Sequence, residues 1–416
     1  MAQYIVLGAG IVGACVALAL RRDGHDVTLV DRDEPGNGCS FGNAGFIQTA
    51  TPHPMATPGM LRKLPALLLD ARSPLSIKWR HVPRLAPWLV RFFRAGSPRR
   101  VEEISIAMMA LLERSGAAYE RILREAKATD LIRRRGLLFV YPDDATFEAA
   151  QWEFDLYRRR GVQVERIGRD QLRQMEPALN RDYVDAYLLP ETFFTIDPML
   201  LTRRIVDGLV DAGGRVVRAE AREIEIGADG PRALHTSSKP IHFENLVIAT
   251  GIHSARFAAR LGDRVMLESA RGYHVMIGDP GVTLQGPVID GGMHFGATPM
   301  RDGLRLAGTL EFASVDAPPD YRRADMLLPM AKRMLPGLDG AVDTRWMGHR
   351  PATPDSLPVL GRAGHFDNVT YAFGHGQLGL TMAAVTGEIV ADIAAGRPPG
   401  IDLAPYSVAR FPGRSP

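Results

Sequence analysis

The feature that most constrains this chain is its first thirty-one residues, which run strand, glycine turn, helix, strand, acid. Tyr4-Ile-Val-Leu7 leads into GAGIVG from Gly8 to Gly13, a run of small residues to Leu20, Gly24, and Val27-Thr-Leu-Val-Asp31. Gly8 permits the tight turn, Gly10 lets main chain approach a pyrophosphate, and Gly13 lets the helix sit close on the sheet. The helix N-terminus then offers free N–H groups and a positive dipole end to phosphate. Asp31, eighteen residues beyond Gly13, stands where a carboxylate accepts from ribose hydroxyls. The pattern predicts dinucleotide binding. The nearly apolar stretch Tyr4–Leu20 lacks the preceding basic residues of a secretory signal and the length of a membrane span.

A chain of 416 residues is expected to form two domains. With 46% apolar and 23% charged residues it is ordinary for a globular protein. A net charge of +3 with no basic tail argues against a nucleic-acid binder. Cys15 and Cys39 make no disulfide framework or zinc pattern, as expected in a reducing, cytoplasmic compartment. Cys15 reads as a buried helix residue, and Cys39 falls in a glycine-rich loop, residues 36–46.

Further along, residues 52–100 predict short helices broken by Pro58, Pro65, Pro74, Pro83 and Pro87. An amphipathic helix is expected over 101–127, a strand over 136–141 and a helix over 144–161. Asp197-Pro198 opens another helix that ends at Gly213-Gly214. Strands follow near 215–219, 222–226 and 245–251, and residues 264–312 carry the glycine-punctuated pattern of an antiparallel sheet. Residues 369–395 return to strand, glycine turn and helix. The expected class is α/β: a Rossmann-like cofactor domain from residues 1–50, 195–255 and 345–416, with a substrate domain, 51–194 and 256–344, inserted on a mixed or antiparallel sheet.

Four more segments carry chemistry. They are Ser40-Phe-Gly-Asn43-Ala44-Gly45; Ala249-Thr250-Gly251; Gly348-His-Arg350-Pro351 running on to Gly361; and Gly374-His375-Gly376-Gln377-Leu378-Gly379-Leu380-Thr381. With GAGIVG, and in this order, they resemble the FAD-dependent D-amino-acid oxidase superfamily, nearest to the bacterial D-amino-acid dehydrogenases, over nearly the whole chain. The resemblance implies non-covalent FAD. Gly8, Gly10, Ile11, Val12, Gly13, Asp31 and Arg32 would serve its ADP half, with Val217 and Ala249–Gly251 beside it. Ser40, Asn43, Ala44 and Gly45 would approach the flavin, and Gly374 and Gly376–Thr381 its pyrimidine edge.

The resemblance also makes Arg350 a clamp for a substrate carboxylate, a task suited to the planar guanidinium fork. Arg271 falls where relatives place another substrate-facing group, or it forms a domain-linking salt bridge. His375 would face flavin or substrate, or bond to a neighbouring loop, and Gln48 would close over substrate. The implied activity is oxidation of a D-amino acid to a 2-oxo acid and ammonia by hydride transfer to flavin. Its rivals are oxidation of a secondary amine of the hydroxyproline, sarcosine or opine type, a flavin subunit of a hetero-complex, and 2-hydroxy-acid oxidation. Residues 60–95 interleave Trp79, Trp88, Phe92 and Phe93 with eight basic residues and one acid, Asp70. They read either as broken helices packed on the substrate domain or as a peripheral contact with the inner face of the cell membrane. There a quinone would take the electrons.

Overall fold

A computed structural model describes residues 1–60 and 75–411. A six-stranded sheet runs in the order Arg215–Arg218, Asp26–Asp31, Gln3–Leu7, Asn245–Ile248, Val369–Phe373, Val359–Arg362. Its first five strands are parallel and the last is antiparallel. The central strands are near-continuous Val, Ile and Leu because both faces are covered, the habit of parallel sheets. Helices Ile11–Arg22 and Gly379–Ala394 lie against one another, and Gly387 makes this close: a Cβ there would come 2.7 Å from the Cys15 carbonyl oxygen.

The second sheet has nine strands. Thr344–Ala352, Glu268–Ile277, Gly303–Phe312, Phe295–Met300, Val288–Asp290, Leu137–Tyr141, Asp185–Leu189 and Glu165–Gly168 follow in that order, with Leu75–Ile77 also on Gly303–Phe312. It is mixed, being parallel at Val288–Asp290 with Leu137–Tyr141 and at Leu75–Ile77 with Gly303–Phe312. Thr344–Ala352 is bonded into this sheet. The long helix Pro98–Glu125 packs on Gly379–Ala394, where the buried Tyr119 hydroxyl donates to the Leu380 carbonyl. The chain returns to the six-stranded sheet only after Ala352, with Val359–Arg362.

Helix Pro198–Asp211 starts as its residues dictate: Pro198 is in the first turn, and the Asp197 carboxylate accepts from the Leu200 N–H at 2.9 Å. Two expectations need correction. Pro83 and Pro87 do not break the chain into short helices; both lie inside the helix Val82–Ala95. Pro83 sits in its first turn, where a missing N–H costs nothing, and the buried Leu85, Trp88 and Phe92 hold the helix through Pro87. Pro65 and Pro74 lie outside the described residues. Trp88 and Phe92 are not free for a bilayer either. They stack with ring centroids 4.9 Å apart inside the core, and the Trp88 indole donates to the Ala352 carbonyl at 3.1 Å. Among the described residues no helix is long and apolar enough to cross a membrane.

Candidate active site

A cavity of about 1020 Å³ opens between the two sheets. Ligand pockets commonly span roughly 300–1,000 Å³, so this one has room for a dinucleotide and a small substrate together. One part is built at the carboxyl ends of the parallel strands, where α/β sheets bind ligands. There Gly8 has a φ of +109° and a Cβ would come 2.5 Å from the Ala249 oxygen, while at Gly13 a Cβ would overlap the Gly8 carbonyl. Gly10, at the N-cap, has no side chain to cap the helix; Ser40 Oγ takes the Ile11 N–H, and Gly10, Ile11 and Val12 line the cavity at this helix end. Asp31 spans the turn: one carboxylate oxygen accepts from the Ala9 N–H at 2.6 Å and the other from the Asp33 N–H at 3.0 Å. These residues fit the ADP half of FAD: bare glycine backbone, a helix N-terminus at the cavity, and a carboxylate at the end of the second strand.

The loop after Asp31 is pinned at both ends. Ser40 Oγ accepts from the Ile11 N–H at 2.9 Å, and Asn43 Oδ1 from the Gly45 N–H at 2.8 Å. From the second sheet, Arg305 Nη1 donates to the Phe41 and Asn43 carbonyls at 3.1 and 2.5 Å, and Thr298 Oγ1 to the Ala44 carbonyl at 2.9 Å. Burial lowers the Arg305 pKa to about 10, so the cation persists at neutral pH. His274 Nδ1 is 3.1 Å from the Gly42 carbonyl, which requires the proton on Nδ1, and the ring stacks on Trp346 at 5.1 Å. None of these three anchors, Arg305, Thr298 and His274, was foreseen, because they are far from the loop in sequence and have no motif of their own.

Of the residues expected at the cofactor, Ile11, Val12, Arg32, Ser40, Asn43, Ala44 and Ala249–Gly251 line the cavity with Gly8, Gly10 and Asp31. So do Gly374, Gly376, Gln377, Gly379, Leu380 and Thr381. Gly13, Gly45 and Leu378 do not. Gly45 turns at φ +85° against the Thr195 carbonyl, and Leu378 is buried in the core under its turn. Val217 also stays out, since it pairs with Val30 inside the sheet; Ala219–Ala221, just past the strand end, line the cavity instead. Strand ends reach a ligand where strand middles cannot.

The four candidate catalytic residues separate. Arg350 lines the cavity, in register with Ala270 on the neighbouring strand and with its guanidinium over Gly272. Its one protein acceptor among the described residues is the Thr309 carbonyl at 3.4 Å, and no carboxylate pairs with it. Opposite Gly272 the strand Gly303–Phe312 bulges, and Thr309 takes a φ of +59°, uncommon for a β-branched residue. Desolvation lowers the pKa of Arg350. Arg271 is fully buried outside the cavity. It is 3.3 Å from Glu311 and donates to the Ser314, Ala317 (2.6 Å) and Pro318 (3.1 Å) carbonyls. The cause is the two-residue period of a strand, which sends Arg271 to the face opposite Arg350 and Gly272. Its ion pair is local to the nine-stranded sheet, so it links no domains.

His375 borders the cavity, but its ring is buried and Nε2 bonds to Thr386 Oγ1 at 3.0 Å. Burial pushes its pKa down to about 3. Gln48 lines the cavity, and its N–H donates to Thr381 Oγ1 at 3.0 Å, tying the flavin loop to the last helix. Cys39 donates its S–H to the His349 carbonyl at 2.9 Å.

The family of FAD dependent oxidoreductases (DAO) matches residues 3–393. The chain belongs to that family. A D-amino-acid oxidase of Bradyrhizobium diazoefficiens is 34% identical over 414 residues, covering 98% of each chain. A D-amino acid dehydrogenase of Paramagnetospirillum magneticum is 34% identical over 427 residues, covering 98% of this chain and 99% of its own. Among solved structures, glycine oxidase from Geobacillus kaustophilus superposes with a TM-score of 0.79 at 21% identity, covering 99% of this chain and 100% of its own. The chain is therefore an FAD-dependent amino-acid oxidoreductase of this family. In it, Gly8–Val12, Asp31, Ser40, Asn43 and Ala44 would hold the cofactor, and Gly376, Gln377 and Gly379–Thr381 would meet it from the last helix.

Proposed function

We propose that this enzyme is a dehydrogenase of D-amino acids, converting them to imines that water hydrolyses to 2-oxo acids and ammonia. The observation that carries the reading is Arg350: a cavity-lining guanidinium with no carboxylate partner among the described residues. A substrate carboxylate would fill its fork with two charge-assisted bonds. Names of relatives sharing about a third of the sequence over nearly full length support the D-amino-acid class. When bound, FAD supplies the acceptor for the hydride leaving the α-carbon.

The chain's own part is placement and electrostatics. Thr309 O steadies Arg350 from one side, leaving the rest of the fork to substrate. The open turn before the helix Gly379–Ala394 presents N–H groups and a dipole end that favour negative charge on the cofactor side. His349 and His375 stay neutral, their pKa values lowered by burial to about 4 and about 3, so neither is a base poised near neutral pH. An amine that arrives uncharged needs no such base. Anaerobic flavin bleaching across D- and L-amino acids, imino acids and N-substituted glycines tests the reading: bleaching by D-amino acids supports it, and bleaching by the secondary amines alone overturns it.

We infer further that the electrons pass to a quinone on the inner face of a bilayer. The support is the outer side of residues 79–95, where Trp79 is 74% exposed and Arg80, Arg84 and Arg94 are exposed. No acid among the described residues pairs with these three arginines. An interfacial aromatic beside free cations suits anionic headgroups.

A further inference from the structure

The cavity also extends to a wall on the side of the nine-stranded sheet, formed by Phe139, Tyr141, Trp152, Glu153, Tyr157 and His53. Three of these are joined in a fixed chain of hydrogen bonds. The fully buried Tyr157 hydroxyl donates to Glu153 Oε1 and lies 2.7 Å from His53 Nδ1, and the His53 ring stacks on Tyr157 at 5.6 Å. A phenol has one proton to give. With that proton directed at Glu153 Oε1, His53 Nδ1–H must be the donor to Tyr157, so the chain runs His53, Tyr157, Glu153. Burial raises the Tyr157 pKa, which keeps it the phenol that this order needs.

The consequence is a carboxylate held in one orientation with a free oxygen. Glu153 Oε2 has no protein donor among the described residues, and the side chain keeps 29% of its surface open. The other acids on the cavity wall, Asp31, Asp33, Glu34 and Glu220, all stand where the cofactor sheet ends. Glu153 is therefore the acid on the substrate-sheet side, and Arg350 lines the same cavity as its opposite charge. Phe139, Tyr141 and Trp152 add aromatic faces of the kind that attract a desolvated cation. A purely apolar amino-acid side chain would leave the Glu153 oxygen without a donor, a cost that recognition sites avoid.

Resting on the reading of the cavity as an amino-acid site, we propose that Glu153 is a specificity residue. It receives the cationic end, ammonium or guanidinium, of a basic amino acid whose carboxylate is held by Arg350. Tyr157 and His53 are positioning residues that hold its carboxylate.

The test uses the FAD-loaded enzyme and two pairs of near-isosteric substrates, D-arginine with D-citrulline and D-lysine with D-norleucine. In the wild type the charged member of each pair should have the higher kcat/KM, by at least about tenfold for one charge-assisted bond. Glu153→Gln keeps an acceptor for Tyr157 but removes the charge. It should bring both ratios near one. Tyr157→Phe should reduce the ratios in part, through KM. Independently of turnover, 4-guanidinobutyrate should perturb the flavin spectrum of the wild type at lower concentration than of Glu153→Gln. Equal kcat/KM for arginine and citrulline in the wild type overturns the proposal without recourse to a variant. So does a ratio that survives Glu153→Gln. If no D-amino acid bleaches the flavin but the guanidino acid still discriminates between wild type and variant, the deamination reading fails and the cation subsite stands.

Discussion

The Arg350 guanidinium lies directly over Gly272, in space that any Cβ at that position would occupy. Two strands of the nine-stranded sheet bring them together, since Gly272 pairs with Gly348 and Arg350 with Ala270 on the same face. Gly272→Ala should therefore displace the clamp without touching any cofactor-binding residue. The expected result is a kcat/KM lower by about tenfold or more, some 1.4 kcal/mol of transition-state stabilisation, with full FAD content. Unchanged kinetics in a properly folded Gly272→Ala enzyme would mean that Arg350 does not hold substrate from its present position.

Retention of FAD should rank two substitutions at the other end of the cavity. Asp31→Ala removes both the ribose acceptor and the support of the Ala9 N–H, and should weaken FAD binding by about 1.5–3 kcal/mol, the worth of a hydrogen bond to a charged group. Ser40→Ala removes only the acceptor for the Ile11 N–H, a loss of about 0.5–2 kcal/mol by analogy with helix caps. Equilibrium dialysis of the apoprotein against FAD measures both, and equal retention in Asp31→Ala and wild type would refute the ribose assignment.

Acid should destabilise the protein through its buried histidines. His274 and His375 are neutral when folded, each with its pKa lowered from 6.5 to about 3 by burial. As pH falls from about 6.5 toward 3, the unfolded chain takes up protons that the native state refuses. Each histidine then removes stability, approaching about 1.4 kcal/mol per pH unit. His274→Gln, whose amide can still donate to the Gly42 carbonyl, should flatten the fall of Tm with pH in that window. Parallel curves for variant and wild type would show that His274 titrates normally in the native state.

Membrane docking is checked by sedimentation with vesicles rich in anionic lipid at low and high salt. The wild type should co-sediment at low salt, and Trp79→Ala with Arg80→Glu and Arg84→Glu should not, at unchanged dye-linked activity. Each headgroup-proximal cation is worth about 1 kcal/mol, so the charge reversals alone should dominate. A wild type that stays in the supernatant at both salts contradicts docking.

The parts of this protein that were legible in its sequence are those built from local rules. The turn from Gly8 to Gly13, the Asp197 cap and the closing turn at Gly374–Thr381 each declare themselves within a few residues, because backbone conformation and helix ends are local problems. What depended on register was not legible. Arg350 stood out through its motif, but Arg271 was left open between a substrate-facing group and a salt bridge, and only the pairing of Glu268–Ile277 with both neighbours turns it away from the cavity. Arg305, Thr298 and His274 hold the flavin loop over more than two hundred residues of separation, and no spacing rule reaches that far. Trp88 looked like an interfacial anchor since its neighbours are basic, yet helical periodicity puts it on the inner face with Leu85 and Phe92.

The most direct test of the account is anaerobic reduction of the bound flavin by a D-amino acid and by its amide, in the wild type and in Arg350→Met. The account predicts rapid bleaching of the wild type by the free acid and slow bleaching by the amide. In Arg350→Met the preference for the acid should disappear, with a loss for the acid on the order of 2–5 kcal/mol, as for one partner of a buried charge pair. Equal bleaching of the wild type by acid and amide would contradict it.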